Sequence, residues 1–164
     1  MMQITSQVTS NIARQFRELH FGVNWTWSNL KEQLLDVSWE EATTRIGSLN
    51  TILTLAFHIN YYISGLIPVF EGSGKLEISD KYAFDSSGIT SAEDWTQFLE
   101  KCWADGERFA GLIEQLPESR LWETFFDKKY GNYYRNLHGM IEHSHYHLGQ
   151  IVVIKKMIRE KGTL

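Results

Sequence analysis

Apolar residues recur every three or four positions through four long segments of this sequence, and that spacing limits the fold more than any other feature. The first segment, residues 4–19, is spaced in this way throughout, with Ile4, Val8, Ile12, Phe16 and Leu19. Such spacing puts the apolar side chains on one face of an α-helix. The same pattern predicts long helices at about residues 48–66, 91–116 and 133–159. No segment alternates apolar and polar residues as a strand would, so the sequence predicts an all-α protein.

Prolines, glycines and capping residues mark where these helices begin and end. Gly22 and the Asn-Trp-Thr-Trp run at residues 24–27 interrupt the first helix. Pro68 stands near the end of the second long helix, where we expect the helix to stop because proline cannot continue it comfortably. Ser91 and Asp94 match the spacing of a capping box, which opens the third.

Four large aromatic residues flank the predicted helices. Trp25 and Trp27 follow the first helix, and Tyr133 and Tyr134 open the fourth. Such rings can line a ligand pocket, but core packing is the commoner role. We therefore expect all four to pack in the core.

Residues 71–90 show no helical spacing and are rich in Gly, Ser and Asp. A connection of this length is long for a compact domain, and it therefore carries function or crosses from one end of the helices to the other. A crossover would let the second and third long helices run in the same direction. Together with the four long helices, it predicts a four-helix bundle with a long crossover between helices two and three.

Length and composition exclude several classes of protein. The 164 residues suit one domain, 1–164, and the net charge of −4 gives no basic surface for nucleic acid. The only cysteine, Cys102, excludes an internal disulfide and a four-cysteine zinc site, and its apolar surroundings indicate an inert buried thiol. The N-terminus has no signal-peptide core, and polar residues interrupt the most apolar helix. We expect a cytoplasmic protein with no membrane span.

Histidines are concentrated in residues 136–151, which hold His138, His143, His145 and His147. On a helical wheel of about 100° per residue, His147 falls inside the apolar arc and His143 at its edge, whereas His138 and His145 share a flank. Two inward imidazoles four residues apart can bind one metal ion. Helical histidine pairs also occur without ions, so this spacing alone leaves both interpretations open.

His58 adds a third inward histidine, because it lies on or beside the apolar stripe of the second long helix. Three neutral imidazoles with an open fourth position are typical of a catalytic zinc site. Ligation by nitrogen alone also suits nickel, copper or iron. We predict that His58, His143 and His147 bind a divalent transition metal, with zinc or nickel as the leading candidates.

The sequence His-Ser-His-Tyr-His-Leu-Gly-Gln-Ile at residues 143–151 resembles the His-x-x-x-His-x-Gly-Gln-Ile signature of the DinB/YfiT-like superfamily. The resemblance extends to the helix order, the long connection and the break after the first helix. It implies a four-helix bundle with a metal held by one histidine of helix two, matching His58, and two of helix four, matching His143 and His147. Gly149 would permit close helix approach, and Gln150 could hydrogen-bond a neighbouring backbone or a ligand.

The sequence constrains the function of the protein less than it constrains the residues of the predicted metal site. A metal-dependent hydrolase acting on a small molecule through metal-activated water is the leading interpretation. The resemblance implies a second, transfer of a low-molecular-weight thiol, and a third is a non-catalytic helical module that forms a homodimer. No catalytic residue is identified. Glu142 is a candidate general base only if the groove is open on its side, and we interpret His138 and His145 as surface or outer residues.

Overall fold

Six α-helices account for most of the residues that the computed structural model describes, 7–72 and 76–161. They are α1 (Gln7–Phe21), α2 (Leu30–Leu34), α3 (Trp39–Thr43), α4 (Ile52–Phe70), α5 (Ala92–Gln115) and α6 (Tyr133–Lys161). Short 3-10 helices lie at Asp80–Tyr82, Glu118–Trp122 and Lys128–Tyr130. No strand occurs within the described ranges, so the predicted all-α class is confirmed.

The four long helices predicted from apolar spacing are α1, α4, α5 and α6, with shifted ends. Helix α1 runs past Leu19 to Phe21, and Ile4 of its predicted stripe lies outside the described residues. Helix α4 begins later than predicted, because the Thr51 hydroxyl accepts a hydrogen bond from the N–H of Thr54 (3.1 Å) and caps it there.

Pro68 does not end α4, which continues to Phe70, so the predicted end near residue 66 is too early. A proline near the end of a helix removes only one backbone donor. The N–H of Glu71 then donates to the carbonyl of Ile67 (3.0 Å) and closes the last turn. The Pro68 side chain is exposed.

The start of α5 differs from the predicted capping box in one hydrogen bond. The Ser91 hydroxyl accepts from the N–H of Asp94 (3.1 Å), as a capping residue does. The Asp94 carboxylate, however, accepts from the N–H of Thr90 (2.9 Å) rather than from that of Ser91. The cap therefore also fixes the last residue of the preceding connection.

Helix α5 packs against α1 and α4, and α6 packs against α4. Ring contacts advance together along α4 and α5, from Phe57 with Phe98 to Phe70 with Phe109, so these two helices run in the same direction. Residues 71–90 connect them. The core between the helices includes the fully buried side chains of Phe16, Leu19, Ile52, Leu55, Ile63, Phe109, Ile113, Leu137 and Ile151.

Helix α4 is the most apolar element of the described chain. An 18-residue window of this 19-residue helix has a mean hydropathy of 1.4, enough by length and composition to cross a membrane. However, 61% of that window is buried inside the structure. A core helix covered by its neighbours meets the same criterion, and the packing of α4 against α5 and α6 gives it that role here.

The C-terminal half of α6 is attached to the α2–α3 region by buried and surface charges. The Lys155 ammonium donates to the carbonyl of Gln33 (2.8 Å) and to the Asp36 carboxylate (2.6 Å). The Arg159 guanidinium donates to Glu41 (2.7 Å) and to Asp36 (3.0 Å). These contacts fix the position of α6 along the other helices.

Trp25 and Trp27 are 99% and 83% exposed, so the prediction that they pack in the core is wrong. The Asn24 amide donates to the carbonyls of Glu18 (3.0 Å) and Ser28 (2.8 Å) and ties the loop to the end of α1. Trp27 adopts a φ of 52° within this loop. Local polar contacts, invisible in the apolar pattern, therefore turn both indoles outward.

A close contact between α1 and α5 gives a test of this packing. A Cβ atom at Gly106 would lie 2.8 Å from Cδ2 of His20. The His20 ring is buried, and its Nδ1 donates to the carbonyl of Phe16 (2.9 Å), so it has little room to move. We expect Gly106→Ala to lower the free energy of unfolding by about 1–3 kcal/mol, measured by urea denaturation.

Gly111 of the same helix provides the matched control. No atom lies within 4 Å of a Cβ built at Gly111. Because alanine favours a helix over glycine, we expect Gly111→Ala to raise the free energy of unfolding by up to about 1 kcal/mol. Equal effects of the two substitutions would contradict the described contact between Gly106 and His20.

Candidate metal centre

Three histidine side chains meet between α4 and α6. Nε2 of His143 lies 2.9 Å from Nε2 of His58 and 3.1 Å from Nε2 of His147. The ligand nitrogens of all three lie within 4.8 Å of one another, close enough to hold one metal ion. His58 and His147 are buried, whereas His143 is partly exposed. The structure thus brings together the three residues predicted as ligands.

His58 is held by the long connection as well as by its own helix. Its Nδ1 lies 2.9 Å from the carbonyl oxygen of Ala83, which can only accept a proton. The Phe84 ring stacks on the imidazole, with centroids 3.7 Å apart and an angle of 10°. The carbonyl therefore places the proton on Nδ1 and leaves the lone pair of Nε2 facing α6.

His147 is oriented by a residue of its own helix. Its Nδ1 lies 2.6 Å from Oε1 of Gln150, and Nε2 of that amide donates to the Tyr146 hydroxyl (3.3 Å). Gln150 therefore acts on the imidazole rather than on a neighbouring backbone. Gly149 is exposed, and nothing lies within 4 Å of a Cβ built there. The prediction that Gly149 permits close helix approach is wrong.

The donor set fits a divalent transition metal. With protons on Nδ1 of His58 and His147, two Nε2 lone pairs face the Nε2 of His143. A single proton on Nε2 of His143 can form a good hydrogen bond to only one of these two nitrogens. A metal cation, by contrast, accepts the lone pairs of all three nitrogens. Nitrogens bound to zinc at about 2.1 Å in tetrahedral directions would lie about 3.4 Å apart, a few tenths of an ångström more than the two short separations given above.

The surroundings favour neutral imidazoles. Burial lowers the pKa of His143 to about 4, and the neighbouring His147 and His58 add to this effect. Burial also lowers the pKa of His58, while its hydrogen bond to Ala83 opposes the shift. Metal ligation requires the neutral imidazole, so these shifts keep the ligands ready to bind.

An open groove of about 910 Å³ adjoins the histidine cluster. His143 lines one part of it, together with Tyr62 and Asp80. Glu142 also lines the groove and is exposed, so the condition for considering it as a general base is met. A volume of this size can hold a small organic molecule beside His143.

Tyr62 and Asp80 form a polar pair at the edge of the cluster. The Tyr62 hydroxyl donates to the Asp80 carboxylate (2.9 Å). The Tyr62 ring lies edge-on to His58 and His143, with centroids 5.2 and 5.3 Å away. Burial, followed by the contact with Asp80, raises the pKa of Tyr62 to about 12, so it remains a hydrogen-bond donor at neutral pH.

The other histidines and the cysteine do not join the cluster. His138 lines the groove and lies against Tyr134, with ring centroids 4.4 Å apart. His145 is half-buried, and burial lowers its pKa. His20 is buried against α5, and Cys102 is a buried free thiol whose pKa burial raises. The inward and lateral histidine pairs of the helical wheel are therefore separated in the structure too.

Sequence reasoning did not identify Asp80, Ala83 or Phe84 as parts of the site. The available signal was the length of the connection, because long ordered connections often carry function. Its individual contacts had no signature, since every residue has a carbonyl like that of Ala83. The sequence indicated that Gln150 could form a hydrogen bond, but it did not show that the partner is His147.

Comparisons of this chain with protein-family models, with curated proteins and with solved structures found no match. No relative therefore supplies ligands or a reaction. The site is assigned from its own side chains, and metal binding by them stays a prediction.

The neutral histidines make the stability of metal-free protein depend on pH. His143 has a pKa of about 4 when folded and near 6.5 when unfolded. Between these values the unfolded chain binds a proton that the folded chain does not, so acid favours unfolding. The contribution of neutral His143 to the free energy of unfolding is fully present above pH ~6.5 and is lost as the pH falls towards ~4. We expect urea denaturation with a chelator present to show this decline.

The matched variant for this measurement is His143→Gln, which keeps a polar side chain but cannot titrate. The stability of this variant should decline less steeply over the same pH range, because residue 143 no longer binds a proton in the unfolded chain that it does not bind in the folded chain. An equally steep decline in the variant would show that His143 does not contribute.

Proposed function

We propose that this protein is a metal-dependent hydrolase that binds zinc or nickel through His58, His143 and His147 and acts on a small molecule in the adjoining groove. One observation carries the proposal. Three imidazole Nε2 atoms converge, two of them with their Nδ1 protons held by Ala83 and Gln150, beside a groove open to solvent.

We further propose that the chain is a four-helix bundle of the DinB/YfiT-like kind, with residues 71–90 as its crossover. The four long helices and the parallel direction of α4 and α5 support this. The histidines come from the second and fourth long helices, as the resemblance at residues 143–151 implies. Sequence signature and helix order are separate observations, and both favour the same family.

The surrounding residues have separate tasks in such a reaction. A divalent ion held by three imidazoles lowers the pKa of a water molecule towards ~7 and acts as a Lewis acid. Ala83 and Gln150 orient the His58 and His147 rings, as outer partners of ligating histidines do. The Tyr62 hydroxyl, whose proton is donated to Asp80, can accept a hydrogen bond from a substrate group, and Glu142 can accept a proton from water in the groove.

The groove favours an enzyme over a purely structural metal site. A structural zinc site is closed by four protein ligands, whereas His143 is partly exposed and lines an open groove. Two carboxylates, Asp80 and Glu142, line the same groove. They favour water as the nucleophile, because they can accept its protons.

Metal content tests the ligand assignment. We expect purified protein reconstituted with zinc to retain about one equivalent per chain, and His147→Ala to retain much less, because two imidazoles bind far more weakly than three. Elemental analysis after dialysis measures this. Undiminished zinc in His147→Ala would remove His147 from the site.

His138→Ala and His145→Ala are matched controls on the same helix. Neither side chain lies in the cluster of three, so we expect both variants to retain the same zinc as the unaltered protein. A clear loss in either variant would mean that the ion binds elsewhere on α6.

Activity tests the reaction. We expect zinc-loaded protein to hydrolyse at least one member of a panel of small esters, amides and phosphate esters, and His147→Ala to lose that activity. The same preparations are assayed for transfer of cysteine to 1-chloro-2,4-dinitrobenzene. Metal-dependent thiol transfer without hydrolysis would replace the proposed reaction with the thiol alternative. Failure of every substrate despite full zinc loading would favour a non-catalytic module.

A further inference from the structure

The groove beside the histidines has both apolar and polar residues in its wall. Residues of α4, of the long connection, of the segment between α5 and α6, and of α6 itself form it, with Leu66, Leu76, Ile78, Phe125 and Met140 as the apolar members. Apolar residues in such a wall bind the carbon body of a ligand, while a few polar groups fix its orientation. The positions of the polar groups therefore indicate the kind of molecule that fits.

Arg135 is the one lysine or arginine among the described residues that line this groove. Its guanidinium forms no ion pair within residues 7–72 and 76–161, unlike the nearby Arg120, which pairs with Glu123 (2.8 Å). The stem of Arg135 lies over Gly131, where a Cβ would come within 2.9 Å of its Cδ. The absence of a side chain at Gly131 thus gives Arg135 room beside the groove.

The charges of the groove are separated along its length. Glu142 is adjacent to His143 in the chain, and Asp80 binds Tyr62, whose ring contacts His143, so both carboxylates lie at the histidine end. Arg135 is eight residues before His143 on α6, which corresponds to about 12 Å along a helix. A metal ion would offset the two carboxylates, whereas the positive charge of Arg135 stays unmatched.

We propose that the groove binds an organic anion with an apolar body, with the anionic group on Arg135 and the opposite end at His143. Arg135 would then select substrates that carry a carboxylate, sulfonate or phosphate at the end remote from the reacting group. This inference rests on the proposed function in one respect, that the end at His143 is the reacting end. Binding of the anion by Arg135 does not depend on it.

Two fluorescent probes with the same ring system separate charge from apolar contact. 8-Anilinonaphthalene-1-sulfonate carries a sulfonate, and N-phenyl-1-naphthylamine does not. In zinc-loaded full-length protein, we expect Arg135→Gln to weaken binding of the sulfonate probe about tenfold, because a charge-assisted contact is lost. Binding of the neutral probe should stay the same, and Arg135→Lys should restore part of the sulfonate affinity.

Two further variants establish where the probes bind. Gly139 lines the groove, and nothing lies within 4 Å of a Cβ built there, so Gly139→Leu fills the groove without a clash in the fold. We expect it to weaken both probes. Lys156→Gln removes an exposed cation from α6 outside the groove and should change neither. Circular dichroism confirms that each variant is folded.

The outcomes distinguish this inference from the proposed function. Sulfonate binding that is unaffected by Arg135→Gln, or equally affected by Lys156→Gln, overturns the inference. So does sulfonate binding that persists in Gly139→Leu. Zinc content measured on the same samples tests the metal site separately. If the protein retains its zinc but sulfonate binding does not depend on Arg135, the proposed metal site is supported and the anion site is not. If sulfonate binding depends on Arg135 but the protein retains no zinc, only the anion site is supported.

Discussion

The hydrogen bond between Nδ1 of His58 and the carbonyl of Ala83 is the contact on which the rest of the site depends. It joins α4 to the connection that follows it, 25 residues along the chain from His58, and it decides which nitrogen of His58 faces α6. Since the carbonyl accepts the only ring proton, Nε2 has a free lone pair. Phe84 then covers the imidazole, and Asp80 from the same connection holds Tyr62 beside it. The connection is therefore part of the site.

Helix α6 supplies the other half of the cluster while closing the core. Its buried apolar side chains face the other helices, and His143 and His147 lie at the border between that face and the groove. The C-terminal half is held by Lys155 and Arg159. Ligands on rigid, anchored helices keep their spacing without an ion.

The groove separates the tasks that a metal-dependent reaction would need. His143 lies at one end, with two carboxylates and the Tyr62 hydroxyl next to it, and Arg135, which forms no ion pair with the described residues, lies further along α6. The apolar residues between them can hold the body of a substrate. The proposed hydrolysis, with recognition of an anionic group, would use all of these features.

The sequence by itself determined the all-α class, the four long helices and the three histidines that meet, because apolar spacing and the four-residue spacing of His143 and His147 are local properties of a helix. It also placed Cys102 in the core and kept His138 and His145 out of the cluster. It did not predict the exposure of Trp25 and Trp27, which depends on hydrogen bonds of Asn24. Only the tertiary structure decided that Ala83 orients His58, that Gln150 orients His147, and that Arg135 and Glu142 share one groove. The contact of Ala83 and the shared groove join different segments of the chain, and the contact of Gln150 depends on side-chain orientation. None of them has a periodic pattern that a sequence could show.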